Sequence, residues 1–128
     1  MVPSGRGRYR EVVSDTQTPI PEVTPDEAEE LLGTGALLLD VREDDEWAAG
    51  HAPAAFHIPM GEVDGRTSEL DVDQQVVAVC RAGARSLKVA NLLAGQGFDV
   101  VNLTGGMQAW EGSGRPVVVD GGGTGQVI

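Results

Sequence analysis

The chain has a single cysteine, Cys80, among its 128 residues. That scarcity excludes an intramolecular disulfide and any structural zinc site built on two or more thiolates, and it leaves packing or reactivity as the role of the thiol. Long apolar runs are also missing. No stretch approaches the roughly 20 residues of a membrane span, and no apolar segment of the secretory kind follows the basic residues of Met1 to Arg10, so a cytoplasmic protein is expected. Positive charge is sparse. Nine Lys and Arg stand against 20 Asp and Glu, a formal net charge of -11, which argues against nucleic acid or an anionic membrane as partner because both require clustered cations. The two histidines, His51 and His57, have no third ligand at a suitable spacing, so structural roles are expected for both and no metal site is predicted.

What is present fits one α/β domain, since 128 residues suffice for a single core but not for two ordinary domains. Residues 1–19 mix Gly, Pro, Ser, Thr and charges without periodicity and are read as a flexible leader. Residues 20–119 are read as the folded domain and the Gly-rich residues 120–128 as a flexible tail. Thr24-Pro25-Asp26-Glu27 carries the marks of a helix start, with Thr24 as N-cap, Pro25 in the first turn and Glu27 placed to close a capping box; Gly33 or Gly35 would end that helix. A second helix fits Glu43 to Ala49, and a third fits Ser86 to Ala94, where Lys88 and Asn91 mark the wet face. Short continuous apolar runs at Ala36 to Val41, Ala55 to Ile58, Val76 to Cys80 and Val100 to Leu103 are read as strands buried on both faces. Strands alternating with helices at this spacing predict a parallel sheet of about five strands, with helices on both faces and right-handed crossovers. Trp47 and Trp110 fall in presumed helices as core residues.

Charge is unevenly placed. No Asp or Glu occurs between Asp73 and Asp99, and Cys80, Arg81, Arg85 and Lys88 all lie inside that window. The strand Val76 to Val79 delivers Cys80 to the carboxyl edge of the sheet, where open α/β folds place their ligands. The following residues, Arg81-Ala82-Gly83-Ala84-Arg85-Ser86, are small apart from the two arginines and lead directly into a helix. Such a loop can turn successive N–H groups inward as an anion-binding nest, and the helix N-terminus adds partial positive charge. Both favour thiolate over thiol, so Cys80 is expected to be nucleophilic at neutral pH and, if exposed, open to oxidation. Taken alone, Cys80 would be a small buried hydrophobe at a strand end. The loop that follows it decides for reactivity. Arg85 read alone is equally an ordinary surface residue of a helix start, and Arg81 is read as a rim residue.

The run Cys80-Arg81-Ala82-Gly83-Ala84-Arg85-Ser86 resembles the active-site loop of single-domain rhodanese-like sulfurtransferases: a cysteine, four residues, an arginine, then Ser or Thr. Leu37 to Glu43 is similar to the family's first signature and Gly50 to Pro59 to its second, with Ala54 where Gly is common. Asn102 to Trp110 is similar to its C-terminal signature. The likeness extends from Ile20 to Val118. It implies a rhodanese-like α/β fold and a sulfurtransferase in which Cys80 takes a sulfane sulfur from thiosulfate or a persulfide and passes it to cyanide or a thiol. It implies further that residues 81–86 bind the substrate, that Asp40 and Arg42 form a buried structural network near the site, and that no cofactor is needed. With no second cysteine, discharge requires an external acceptor, and a sulfur-relay or thioredoxin-like protein is a candidate partner. Many thiosulfate-using relatives carry a hydroxyl or a cation inside the loop where this chain has Ala82 and Ala84, which points towards a persulfide donor.

Two rival readings use the same cysteine. A Cys-dependent phosphatase or arsenate reductase resembles Cys, five residues, Arg, one residue more than the four found here. A non-catalytic sulfur carrier or persulfide-sensing module would act only with a partner protein. The acids Glu62, Asp64 and Glu69 could edge a docking surface, although a solvated charged face is the simpler account.

Overall fold

The computed structural model describes residues 19–128. The expected leader lies outside the described residues except for Pro19. In chain order the elements are β1 (Glu22–Val23), α1 (Pro25–Gly33), β2 (Leu37–Asp40), α2 (Asp44–Ala49), β3 (Phe56–His57), two 3-10 turns (Met60–Glu62 and Asp64–Glu69), β4 (Val76–Val79), α3 (Ala84–Gly95), β5 (Val100–Leu103) and α4 (Gly106–Gly112). The five strands form one sheet in the order β1-β5-β4-β2-β3, with every pairing parallel. The α/β architecture read from the spacing of apolar runs is the one observed.

Local chemistry explains the elements. Thr24 and Glu27 close the capping box of α1 with reciprocal bonds of 3.1 and 2.9 Å, which satisfy N–H groups that the first helical turn leaves free. β2, β4 and β5 sit in the middle of the sheet and are buried on both faces, so they read as unbroken apolar runs. Alternate residues of β4 serve two cores. Val76 and Ala78, with Cys80 just past the strand, join Leu39, Ile58, Val89 and Leu93 on one face. Val77 and Val79 join Ala28, Leu103, Met107 and Trp110 on the other. Trp110 donates its indole N–H to Pro116 O at 2.9 Å, which satisfies the polar end of a buried ring.

The structure departs from the sequence reading in four places. β1 is two residues long and has no apolar run to announce it; its pairing with β5 alone defines it. α3 starts at Ala84, two residues earlier than expected, because Gly83 at φ +121° makes the turn in one step. The segment after Pro59 coils into 3-10 turns, where Arg66 forks between Glu62 and Glu69 and so offsets part of the acidic edge, leaving it net negative. Residues 120–128, read as a mobile tail, are hydrogen-bonded back onto the domain. Val118 pairs with His51 and with Thr124, Gln126 N donates to Ala49 O, and Val127 packs on the core. The absence of a side chain on Gly50 allows this approach: a Cβ there would meet Gln126 N at 2.5 Å. Among the described residues no helix is long and apolar enough to cross a membrane.

Candidate active site

Cys80 stands one residue past β4, at the carboxyl edge of the sheet, and its backbone is anchored from the far side by α4. Met107 N donates to Cys80 O at 2.7 Å and Gln108 N to Arg81 O at 3.0 Å. With these carbonyls turned away into the N-terminus of α4, the loop N–H groups are free to face the sulfur. Gly105 and Gly106, at φ +74° and +59°, make the bend that brings α4 this close. Side chains other than hydrogen adopt such angles at a cost.

Around the sulfur, Gly83 N–H donates to Cys80 Sγ at 3.1 Å and Ser86 Oγ lies 3.3 Å away. Burial of the thiol opposes its ionisation. Hydrogen bonds from the Ser86 hydroxyl and from the backbone N–H groups of Ser86, Gly83 and Ala82 outweigh that effect and hold Cys80 below the ordinary thiol range. The sulfur is less open than its position at a sheet edge suggests: Cys80 is only 1% exposed. A reaction partner must therefore come right up to the loop, and indiscriminate oxidation is hindered.

The Ser86 hydroxyl has more than one claimant. It lies 2.6 Å from Asn102 Oδ1. Asn102 Nδ2 faces only acceptors, Gly83 O at 3.1 Å and the Glu22 carboxylate at 3.1 and 3.3 Å, so the amide oxygen must face Ser86. The single hydroxyl proton has three acceptors in reach, Asn102 Oδ1 at 2.6 Å and Gly83 O and Cys80 Sγ at 3.3 Å, and an anionic sulfur competes for it better than a neutral thiol. Removing that donor should raise the thiol pKa. In Ser86→Ala the midpoint of the alkylation-rate pH profile is expected to move to the alkaline side, the loss of one charge-assisted hydrogen bond. An unmoved midpoint would show that the hydroxyl never serves the sulfur.

The remaining expected site residues separate. Arg81 is exposed and its Nε donates to Ile128 O at 2.9 Å. Ala82 and Ala84 are exposed on the loop, contributing backbone alone. Arg85 is half-buried and turns to α2, where both of its terminal nitrogens meet the Glu46 carboxylate at 2.7 and 2.9 Å. Asp40 and Arg42 are both 0% exposed. Arg42 grips the Asp40 carboxylate through Nε and Nη2 and also donates to Gly50 O at 2.8 Å, tying β2 to the end of α2. Trp47 of α2 is sandwiched by His51 and His57 with ring centroids 3.6 and 4.7 Å away. The two imidazoles are also bonded to the carbonyls of Trp47 and Arg42.

Sequence reasoning missed Glu46, Asn102 and the Gly105-Gly106 pair as parts of the site. Glu46 is separated from Arg85 by 39 positions and Ser86 from Asn102 by 16. No local period links them. The consecutive glycines were the one available signal, since two at the head of a helix invite the question of what approaches there.

Comparison with known proteins identifies the family. A family profile described as a rhodanese-like domain matches residues 24–113. A sulfurtransferase of Allochromatium vinosum is 43% identical over 83 residues, covering 64% of this chain and 78% of the relative. The thiosulfate sulfurtransferase GlpE of Actinobacillus pleuropneumoniae is 36% identical over 98 residues, covering 75% and 91%. Among solved structures, a rhodanese-related protein from Thermoplasma volcanium superposes with a TM-score of 0.73 at 28% identity, over 78% of this chain and 99% of that one.

Proposed function

The chain belongs to the family of rhodanese-like domains, and from that premise we propose that it is a sulfurtransferase whose Cys80 carries the transferred sulfur as a persulfide. The observation that carries this reading is the convergence of Gly83 N–H and the Ser86 hydroxyl on Cys80 Sγ at the start of α3. Donors placed there stabilise an anionic sulfur before and after it is loaded.

The reaction has two halves. The Cys80 thiolate attacks the outer sulfur of the donor, a new S–S bond forms, and the donor's own bond to that sulfur breaks with its electron pair leaving on the donor. From thiosulfate the leaving group is sulfite; from a persulfide it is a thiolate. The Cys80 persulfide anion then presents its outer sulfur to cyanide or an acceptor thiolate, which takes it and returns Cys80 to a thiolate. Asp40 and Arg42 act at a distance, holding the end of β2 against Gly50 so that α2 stays in place beside the loop. A sulfur-relay or thioredoxin-like protein is a fitting acceptor, since Cys80 is the chain's only thiol.

Intact-mass measurement tests the proposal. Reduced protein treated with thiosulfate or with glutathione persulfide is expected to gain one sulfur, about 32 Da, as the covalent intermediate of nucleophilic catalysis. The gain should vanish in Cys80→Ala and be reversed by cyanide. If neither donor loads a folded protein with a reduced thiol, the enzyme reading fails and a partner-dependent sulfur carrier replaces it.

A further inference from the structure

The acid-free window around Cys80 suggests a positively charged mouth, but the fold pairs the half-buried arginine of the loop with a carboxylate from elsewhere in the chain. Of the two loop arginines, Arg81 is exposed and donates to Ile128 O. Arg85 lies within electrostatic range of Cys80, and Glu46 of α2 holds it through both carboxylate oxygens. The Glu46 side chain is 13% exposed and that of Arg85 30%, so solvent screens the pair only in part. Hydrogen bonding to Arg85 holds the Glu46 carboxyl down at about 2 against the effect of burial, with the charges of Arg85 and Arg42 helping, so Glu46 is an anion throughout the working range. Its Oε1 also accepts from Glu43 N at 2.9 Å, which fixes the carboxylate to the first turn of α2. Asp44 and Asp45 follow in the same turn and add further negative charge.

A guanidinium and a carboxylate in contact act at a distance as a dipole, whose field falls off faster than that of a free charge. A donor approaching Cys80 therefore meets backbone N–H groups and a neutralised arginine. Each additional negative charge on its transferring group finds no unpaired cation beside the sulfur to oppose it, only the solvent-screened Arg81 at the rim. We propose that Glu46 is a specificity-determining residue that, by neutralising Arg85, tunes the Cys80 site to sulfane-sulfur donors with one negative charge on the transferring group, persulfide or thiosulfonate monoanions, in preference to the thiosulfate dianion. The inference rests on the sulfur-loading reading above.

Two probes isolate the charge. Thiosulfate transfers sulfur to the Cys80 thiolate and releases sulfite; methanethiosulfonate makes the same transfer and releases methanesulfinate. In both, the Sγ–S bond forms as the donor S–S bond breaks, and one negative charge stays on the new persulfide. Cyanide as common acceptor makes the second half-reaction identical.

The quantity to follow is kcat/KM for thiosulfate divided by that for methanethiosulfonate, in the full chain. In Glu46→Gln this ratio is expected to rise about tenfold, chiefly through the thiosulfate KM, and the gain should shrink as salt is added. Arg85→Gln, which leaves the Glu46 charge unopposed, should lower the ratio, and the double variant should return it towards the starting value. A ratio unchanged in Glu46→Gln, or both donors changing together, overturns the inference and makes Glu46 a structural residue. Should Glu46→Gln fail to fold, the direction of change in Arg85→Gln decides the matter. If the unaltered protein accepts sulfur from neither probe, the sulfurtransferase reading itself has failed, an outcome distinct from an unresponsive ratio.

Discussion

Gly106→Ala is expected to cost about 3 kcal/mol of stability, from a left-handed non-glycine residue together with overpacking against backbone, and to reduce sulfur loading of Cys80 at least tenfold. A Cβ at position 106 would overlap Cys80 O and lie 2.6 Å from the Arg81 carbonyl. Both obstacles are backbone, so no side chain can swing aside, and φ at this residue is +59°. Relief requires α4 and the loop to part. That would break the bonds from Met107 N and Gln108 N that aim the loop carbonyls away from the sulfur. Activity should fall further than stability explains, because the same contact positions the N–H groups around Sγ. Gly112→Ala is the control: it lies on the same helix with nothing within 4 Å of its added Cβ and should leave both properties nearly unchanged. Urea unfolding and intact-mass loading check the pair. A Gly106→Ala protein of near-normal stability and loading would show that α4 does not hold the loop.

The second large effect is expected at Arg42. Arg42→Met should destabilise the fold by about 3–5 kcal/mol, the usual consequence of stranding one partner of a buried ion pair. Asp40 would be left as a carboxylate with no exposure, and Gly50 O would lose the donor that ties it to β2. A protein of this size has only about 5–15 kcal/mol of net stability, so loss of activity in this variant would follow from unfolding rather than from chemistry. Replacing both residues with apolar side chains, Asp40→Leu with Arg42→Met, should cost less than the Arg42 change alone. Dehydrating two charges is itself expensive, and Arg42 Nη1 is buried without a hydrogen-bond partner among the described residues. Denaturant titration of the single and double variants gives the coupling directly. If the double variant is less stable than the single one by an independent second penalty, the ion pair is not what holds β2 to α2.

The readings that succeeded share a cause. β2, β4 and β5 are continuous apolar runs because both of their faces are covered, and the capping box of α1 is complete within four residues, so chain-local rules sufficed. The approach of Ser86 to Cys80 is local for the same reason, since the two are six positions apart across one turn and the head of α3. β1 was missed because two residues contain no period. The contacts of segment 120–128 were not legible because its glycines read as flexibility, whereas the absence of side chains at Gly50 and Gly125 is what lets two backbones touch.

What the sequence determined by itself is therefore the α/β layering, the family resemblance and the place of the only thiol at the head of a small-residue loop, all of which depend on neighbours along the chain. The tertiary structure alone decided the charge state of the mouth, through Glu46 brought across to Arg85, the competition of Asn102 for the Ser86 proton, and the grip of α4 on the loop carbonyls. The physical reason is that electrostatic and hydrogen-bond energies depend on distance in space. Parallel strands joined by crossovers bring together residues that no periodicity along the chain relates.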